Sequence, residues 1–308
     1  MNSMLIQFTE QDVIERLTMP RAIAVLEQAL CDEAHGQAIH LPRQRVTMDE
    51  RTLHVLPAAS GRYGYHGLKA YLSGGARTAF WYMLFDRDDL KALISADYLG
   101  RLRTGAASGL ATKYLARTDA AILGVIGAGS QAATQIQAIC EVRKISRVLI
   151  YSRNAAHRDA FAHEVATRFG VDASAVASAE EAVAAADVVV TITNSREPVL
   201  DGTWLKDGVH INAVGSNRAA SRELDETTLA RAGRIVVEDI AQAKTEAGDF
   251  IRAENFDWTR LLRLQDVLPL VETHAEPKRD RSEITIFKSL GIGLWDLALA
   301  IELLQTMH

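Results

Sequence analysis

The sequence predicts an α/β protein: a doubly wound parallel sheet, flanked on both sides in the chain by segments of α+β texture. Three observations carry this. From Ala120 onward, short apolar runs alternate with helical patterns. Those runs are continuously apolar, as strands covered on both faces are. At 308 residues the chain is longer than one typical core needs and suits two domains.

Taken in order, the elements begin with a helix that opens at Thr18-Met-Pro and runs to His35, with proline in the first turn where it is tolerated. RVTM, TLHVLPA, GLKAYL and AFWYMLF then read as strands, broken by the turn-rich GRYGYHG and SGGAR. Leu99, Leu102, Ala106, Leu110 and Leu115 recur at helical spacing and predict a helix over 96–117. Within the alternating stretch AILGVIG, RVLIYS, DVVVTIT, VHINAVG and RIVVED are strands. QAATQIQAICEV, HRDAFAHEVATRF, EEAVAAA and DETTLARA are helices. The style changes again near residue 283. ITIF is strand-like, SLGIG is a loop, and LWDLALAIELLQTM is a helix apolar enough to be buried.

Composition narrows the function classes. Hydrophobic residues make up 48% and charged residues 24%, which excludes a disordered, collagen-like or coiled-coil chain. Lys+Arg 34 against Asp+Glu 39 gives a net charge of -5, without the basic excess of a nucleic-acid surface. A small molecule is the expected partner. Cys31 and Cys140 sit in apolar helical contexts and read as buried free thiols. No CxxC or HExxH spacing occurs, so no metal is expected; His40, His54, His66 and His210 lack ligand spacing, and His157 and His163 read as a solvated helix face. The N-terminal MNSMLIQFTEQDVIERL has no basic n-region, and no apolar run approaches the ~18 residues of a membrane span. These features lead to the expectation of a soluble, cytoplasmic protein.

The strongest chemical signal is Gly127-Ala128-Gly129-Ser130-Gln131-Ala132, which closes one predicted strand and opens a helix. The first glycine permits a tight turn and the second lets backbone N–H groups approach a pyrophosphate. A small residue at Ala132 lets helix and strand pack closely. The helix N-terminus adds partial positive charge. In a βαβ context this predicts a Rossmann-type dinucleotide site. An NAD site usually carries an acid ~20 residues later to accept the ribose hydroxyls. Here the second strand ends Tyr151-Ser152-Arg153-Asn154, with no acid. An arginine there can face a 2′-phosphate, so NADP(H) is preferred, with NAD possible. The plainer alternative for Arg153 is a solvated residue at a helix start.

LRTGAASGLATKYLA, GVIGAGSQA, HINAVGSN with RELD, and TIFKSLGIGLWDLA occur in that order, and together they resemble the ornithine cyclodeaminase/mu-crystallin family. The resemblance implies a homodimer in which a Rossmann domain, 118–282, is inserted into a discontinuous substrate and dimerisation domain, 1–117 plus 283–308. It also implies hydride exchange between a nicotinamide and the α-carbon of an amino or imino acid. Residues at matching positions are Arg45, Lys69 and Arg103 for the substrate carboxylate, and Lys69 can also exchange a proton with the substrate nitrogen if burial lowers its pKa. Cofactor contacts fall on Thr104, on Gly127, Ala128, Gly129, Ser130 and Gln131, and on Ser152, Arg153 and Asn154. Thr193 and Val214 match the nicotinamide side, and Ser289 and Leu290 the loop that closes over the ring. Val214 and Leu290 could equally serve core packing.

One departure matters. Cyclodeaminases carry an aspartate where this chain has Asn217, and a lysine where it has Ser221. Asparagine cannot act as general acid or base, whereas a preformed imine already protonated on nitrogen needs only positioning and a hydride to become the amine. Asn217 therefore reads as a substrate-orienting residue, or as a turn residue in Gly-Ser-Asn. The expected activity is NAD(P)H-dependent reduction of a small imino acid or cyclic ketimine, of the pyrroline- or piperideine-2-carboxylate type. Ornithine cyclodeaminase and a non-catalytic crystallin-like binder are the alternatives.

Overall fold

The computed structural model describes residues 5–268 and 280–307. Residues 269–279 of the expected 118–282 domain, and His308, lie outside the described residues. The chain divides into two compact units, one of 1–107 with 291–308 and one of 108–290.

The first unit opens with β1 (Ile6–Phe8), α1 (Glu10–Arg16) and α2 (Met19–Ala34). A capping box between Thr9 and Asp12 starts α1, and a proline in its first turn starts α2. There follow β2 (Ala38–His40), β3 (Gln44–Met48), β4 (Arg51–Ser60), β5 (Tyr65–Ser73), β6 (Phe80–Phe85) and β7 (Leu90–Ser95), then α3 (Asp97–Leu115). The described strands form a sheet in the order β1-β7-β6-β5-β4-β2, with β3 also paired to β4 and only the β1–β7 pair parallel. Burial alternates along β4 and β6, as a sheet with one covered face requires.

The second unit contains β8 (Ile122–Ile126), α4 (Ala132–Val142), β9 (Arg147–Tyr151), α5 (Ala155–Phe169), β10 (Asp172–Ala175), α6 (Ala179–Ala184), β11 (Val188–Thr191) and β12 (His210–Ala213). It continues through α7 (Glu226–Arg231), β13 (Arg234–Val237), α8 (Ile240–Glu246), α9 (Gly248–Ile251), β14 (Leu261–Arg263), α10 (Leu264–Val267) and β15 (Thr285–Lys288). Eight parallel strands run in the order β10-β9-β8-β11-β12-β15-β13-β14. Strand order reverses between β8 and β11, the topological switch point at which such sheets bind ligands. Successive valines of β11 serve opposite cores. Val188 and Val190 pack with Ile136 and Phe161 on one face, and Val189 packs with Ile211 and Phe250 on the other.

Last comes α11 (Gly293–Gln305), which returns to the first unit and packs on α2, β4, β5 and β6. Eleven of its residues are buried, so it is an internal helix of that unit and not a surface one. Among the described residues no helix is long and apolar enough to cross a membrane.

Two sequence expectations differ from the structure here. The expected domain limits at 117 and 283 follow changes in texture, whereas the units divide at 107/108 and 290/291. The second half of α3 is tied into the second unit: Thr112 accepts a 3.0 Å hydrogen bond from the Asn212 amide, and the Arg143 guanidinium bonds the Thr112, Lys113 and Ala116 carbonyls at 2.9 Å. β15, the ITIF strand, pairs with β12 and β13 inside the parallel sheet. Both cysteines are free, as expected, but half-buried rather than buried.

Candidate functional site

The glycine loop follows β8 at the switch point. Gly127 has φ +118°, and a Cβ there would lie 2.4 Å from the Ile192 carbonyl oxygen, so only glycine fits. Nothing approaches within 4 Å of a Cβ built on Gly129, and this open space suits a close-approaching phosphate. Ala132 is fully buried where α4 begins. The loop borders a cleft of about 470 Å³ that Gly127, Ala128, Gly129, Ser130 and Gln131 line together with Ser152, Arg153, Thr193 and Val214. The structure thus brings nine of the expected cofactor residues to one cleft, and their geometry fits a dinucleotide. Asn154 caps α5, its Oδ1 accepting from the His157 N–H at 3.0 Å. Behind the β9 end the Arg158 guanidinium lies 5.7 Å from the Tyr151 ring centroid and donates to the Ser152 carbonyl at 3.1 Å.

A buried carboxylate, Glu223, fixes the wall of this cleft at Thr193 and Gly215, and two further buried acids lie in the same unit. Glu223 accepts from the Thr193 N–H (2.7 Å) and hydroxyl (2.8 Å), the Thr191 hydroxyl (3.0 Å) and the Gly215 N–H (2.8 Å). One side chain therefore ties the ends of β11 and β12. Burial pushes its carboxyl upward, against the pull of Lys288 and the Thr193 bonds. Asp249 receives the Glu223 and Leu224 N–H groups and pairs with Lys288 at 2.8 Å, all three ionisable side chains being shut off from solvent. Glu238, after β13, accepts from the Ser289 hydroxyl at 2.6 Å and the Leu290 N–H at 2.9 Å. Ser289 and Leu290 are buried by this anchoring. These acids were not singled out from the sequence, although RELD and VVED were in view. Their signal is an acid set among apolar strand residues, which burial must satisfy with donors.

In the other unit, Lys69 of β5 is 3% exposed and donates to Asp296 Oδ1 at 3.1 Å. Arg103 of α3 brings its Nε to 3.5 Å from Asp296 Oδ2, and Asp296 is fully buried in the first turn of α11. Burial lowers the Lys69 pKa, Asp296 opposes this, and the Arg103 and Arg43 charges add to the lowering. Backbone shape fits the cluster. Gly291 has φ +75°, and a Cβ there would lie 2.3 Å from Arg103 Nη1. A Cβ on Gly100 would lie 2.4 Å from Lys69 Nζ.

The structure brings Lys69 and Arg103 together as the sequence suggested. Arg45 stands on exposed β3 directly opposite His54, two strands from Lys69 and on the same face of the sheet. Arg43 is the buried arginine here, 7% exposed, donating to the Gly291 carbonyl at 3.3 Å. The two stand two residues apart in PRQRV, and only packing tells them apart. Thr104 is buried on α3 and donates its hydroxyl to the Gly100 carbonyl at 2.7 Å. Asn217 is half-buried in the loop after β12, and Ser221 lies in the turn that closes on Arg218. Burial pushes the Cys140 thiol up to about 11, which makes it no nucleophile.

A family model described as ornithine cyclodeaminase/mu-crystallin matches residues 3–306. A Δ1-pyrroline-2-carboxylate reductase of Bacillus cereus is 37% identical over 219 residues, 70% of this chain, and the match spans 66% of that protein's length. The structure of a Thermococcus litoralis Δ1-pyrroline-2-carboxylate reductase in complex with NADH and L-proline superposes with a TM-score of 0.91 at 30% identity, covering 98% of this chain and 97% of that one. An archaeal alanine dehydrogenase dimer with bound NAD gives a TM-score of 0.89 at 30% identity, covering 98% and 95%. Matched across nearly all of its length, the chain belongs to the ornithine cyclodeaminase/mu-crystallin family.

Proposed function

We propose that the protein is an NAD(P)H-dependent reductase of a small imino acid or cyclic ketimine, yielding the amino acid. The Lys69–Asp296–Arg103 cluster carries this reading. Lys69 and Arg103 share the single carboxylate of Asp296, and the Arg43 charge also acts on Lys69. Such a cluster of cations suits a substrate carboxylate, which an arginine can hold in one orientation. The lowered pKa of Lys69 makes its ammonium a readier proton donor to the substrate nitrogen than an ordinary lysine. The cofactor, when bound, supplies the hydride. Ser289 and Leu290, held by Glu238, and Thr193, held by Glu223, shape the nicotinamide end of its site.

Asn217 and Ser221 disfavour the cyclodeaminase alternative, because neither side chain can shuttle the protons that ammonia release requires. Retention of the whole cation cluster and the glycine loop disfavours a non-catalytic binder. Arg153, with no acid at the end of β9, supports NADPH over NADH, although both solved relatives described above contain NAD or NADH. A homodimer is part of the same reading. Val46, Leu53, Leu72 and Trp81 project from the outer face of the first unit's sheet, each more than 40% exposed, and such an apolar face calls for a partner. The test is a panel of imines with NADPH and NADH oxidation as readout, beside ammonia release from ornithine. Reduction of Δ1-pyrroline- or Δ1-piperideine-2-carboxylate without ammonia release is expected. Robust ammonia release from ornithine, or no imine reduced, would overturn the assignment.

A further inference from the structure

His54, Tyr71 and Phe80 form a row that the reading above leaves unused. They lie directly opposite one another on β4, β5 and β6, so all three project from the sheet face that carries Lys69. The His54 and Tyr71 rings stack with centroids 4.4 Å apart and planes 5° from parallel. Tyr71 and Phe80 follow at 4.8 Å, tilted by 42°. A 2.8 Å hydrogen bond between His54 Nε2 and the Ser73 hydroxyl fixes the first ring. The row begins at the cation cluster, because Lys69 Nζ lies 5.2 Å from the Phe80 centroid.

Exposure gives the row its direction. Around Lys69, Leu56 is 1% exposed, and Tyr82 and Asp296 are fully buried. Tyr71 and Phe80 are half-buried and leave ring surface open on that same face. A carboxylate seated on Lys69 and Arg103 therefore has aromatic surface beside it, and Arg45, directly opposite His54, stands at the far end of the row on the same face. We propose that the His54–Tyr71–Phe80 row is the subsite for the substrate's α-substituent. It selects imino acids bearing a ring, cyclic or aryl, over those bearing a methyl group, because flat rings gain by stacking on such a surface. The inference rests on the imino-acid reading of the Lys69 site.

Two measurements test it separately from that reading. In the first, the full chain with NADP+ present is titrated calorimetrically with acetate and with benzoate, inert carboxylates that differ in the ring. Benzoate should bind at least tenfold more tightly, and Tyr71→Ala should erase most of that ratio while Tyr71→Phe keeps it. In the second, kcat/KM is compared for Δ1-piperideine-2-carboxylate and for the imine formed from pyruvate and ammonia. The ring substrate should lead by tenfold or more, with Phe80→Leu and Tyr71→Ala narrowing the lead through KM. Equal binding of acetate and benzoate, or a ratio unmoved by Tyr71→Ala, would overturn the subsite. If the binding ratio behaves as stated and no imine is reduced, the subsite stands and the reductase assignment fails.

Discussion

A single buried carboxylate, Asp296, holds the two cations that the proposed function assigns to the substrate carboxylate. Its charge opposes the burial that lowers the Lys69 pKa, so Asp296→Asn should lower it further. If protonated Lys69 is the active form, the alkaline limb of kcat/KM moves to lower pH by about one pH unit or more. A merely structural defect would scale the whole profile down and leave its limbs in place. Because the unfolded chain binds the Lys69 proton more tightly than the folded one, this site's contribution to stability rises with pH. The rise spans the interval from the depressed pKa to the ordinary lysine value of about 10.4. Arg153 is the second residue whose role can be read alone. Arg153→Ala should narrow the NADPH preference tenfold or more, since a charge-assisted hydrogen bond contributes about 1.5–3 kcal/mol. Fluorescence titration of both cofactors measures it, and equal affinities in the unmutated protein would refute the preference.

Between elements, the deciding contacts are side chain to backbone. Glu223 accepts four hydrogen bonds, so Glu223→Gln must present an amide N–H toward a backbone N–H, and one of the two loop ends must move. The expected result is a fall in kcat of tenfold or more with a smaller change in cofactor affinity. The fold should persist, because the apolar strands beneath are untouched; stopped-flow reduction and cofactor titration separate the two effects. Helix and strand identities were legible where the pattern was strong. The alternation of AILGVIG, RVLIYS and DVVVTIT yields β8, β9 and β11, and the series from Leu99 to Leu115 yields α3. Short edge strands were not legible. β10, Asp172–Ala175, has no apolar run, and β14 is three residues long; each exists because a neighbouring strand offers its backbone.

On the molecular scale the first unit's outer sheet face remains to be covered. Trp81→Glu with Leu72→Glu should turn a dimer into a monomer in sedimentation while leaving the far-UV CD spectrum intact. A monomeric unmutated protein would remove the dimer from the reading. The return of α11 to the first unit is also a whole-chain property. Its burial against α2 and β4–β6 makes the last helix part of the first unit, some two hundred residues from its neighbours in sequence.

Local periodicity and contiguous motifs sufficed for the parallel sheet, the glycine loop and the family, and through the family resemblance they pointed to Lys69 and Arg103, which packing brings to one carboxylate. Tertiary structure alone decided the rest. It brought the Arg43 charge near Lys69, supplied Asp296 as the counter-ion of Lys69 and Arg103, placed Glu223 behind the cleft and set Glu238 against Ser289 and Leu290. It drew β15 into the parallel sheet and lined up His54, Tyr71 and Phe80. The reason is physical. Periodicity reports which face a residue takes, but which charge meets which, and what a ring lies against, depend on strand register and on helices that arrive from distant sequence.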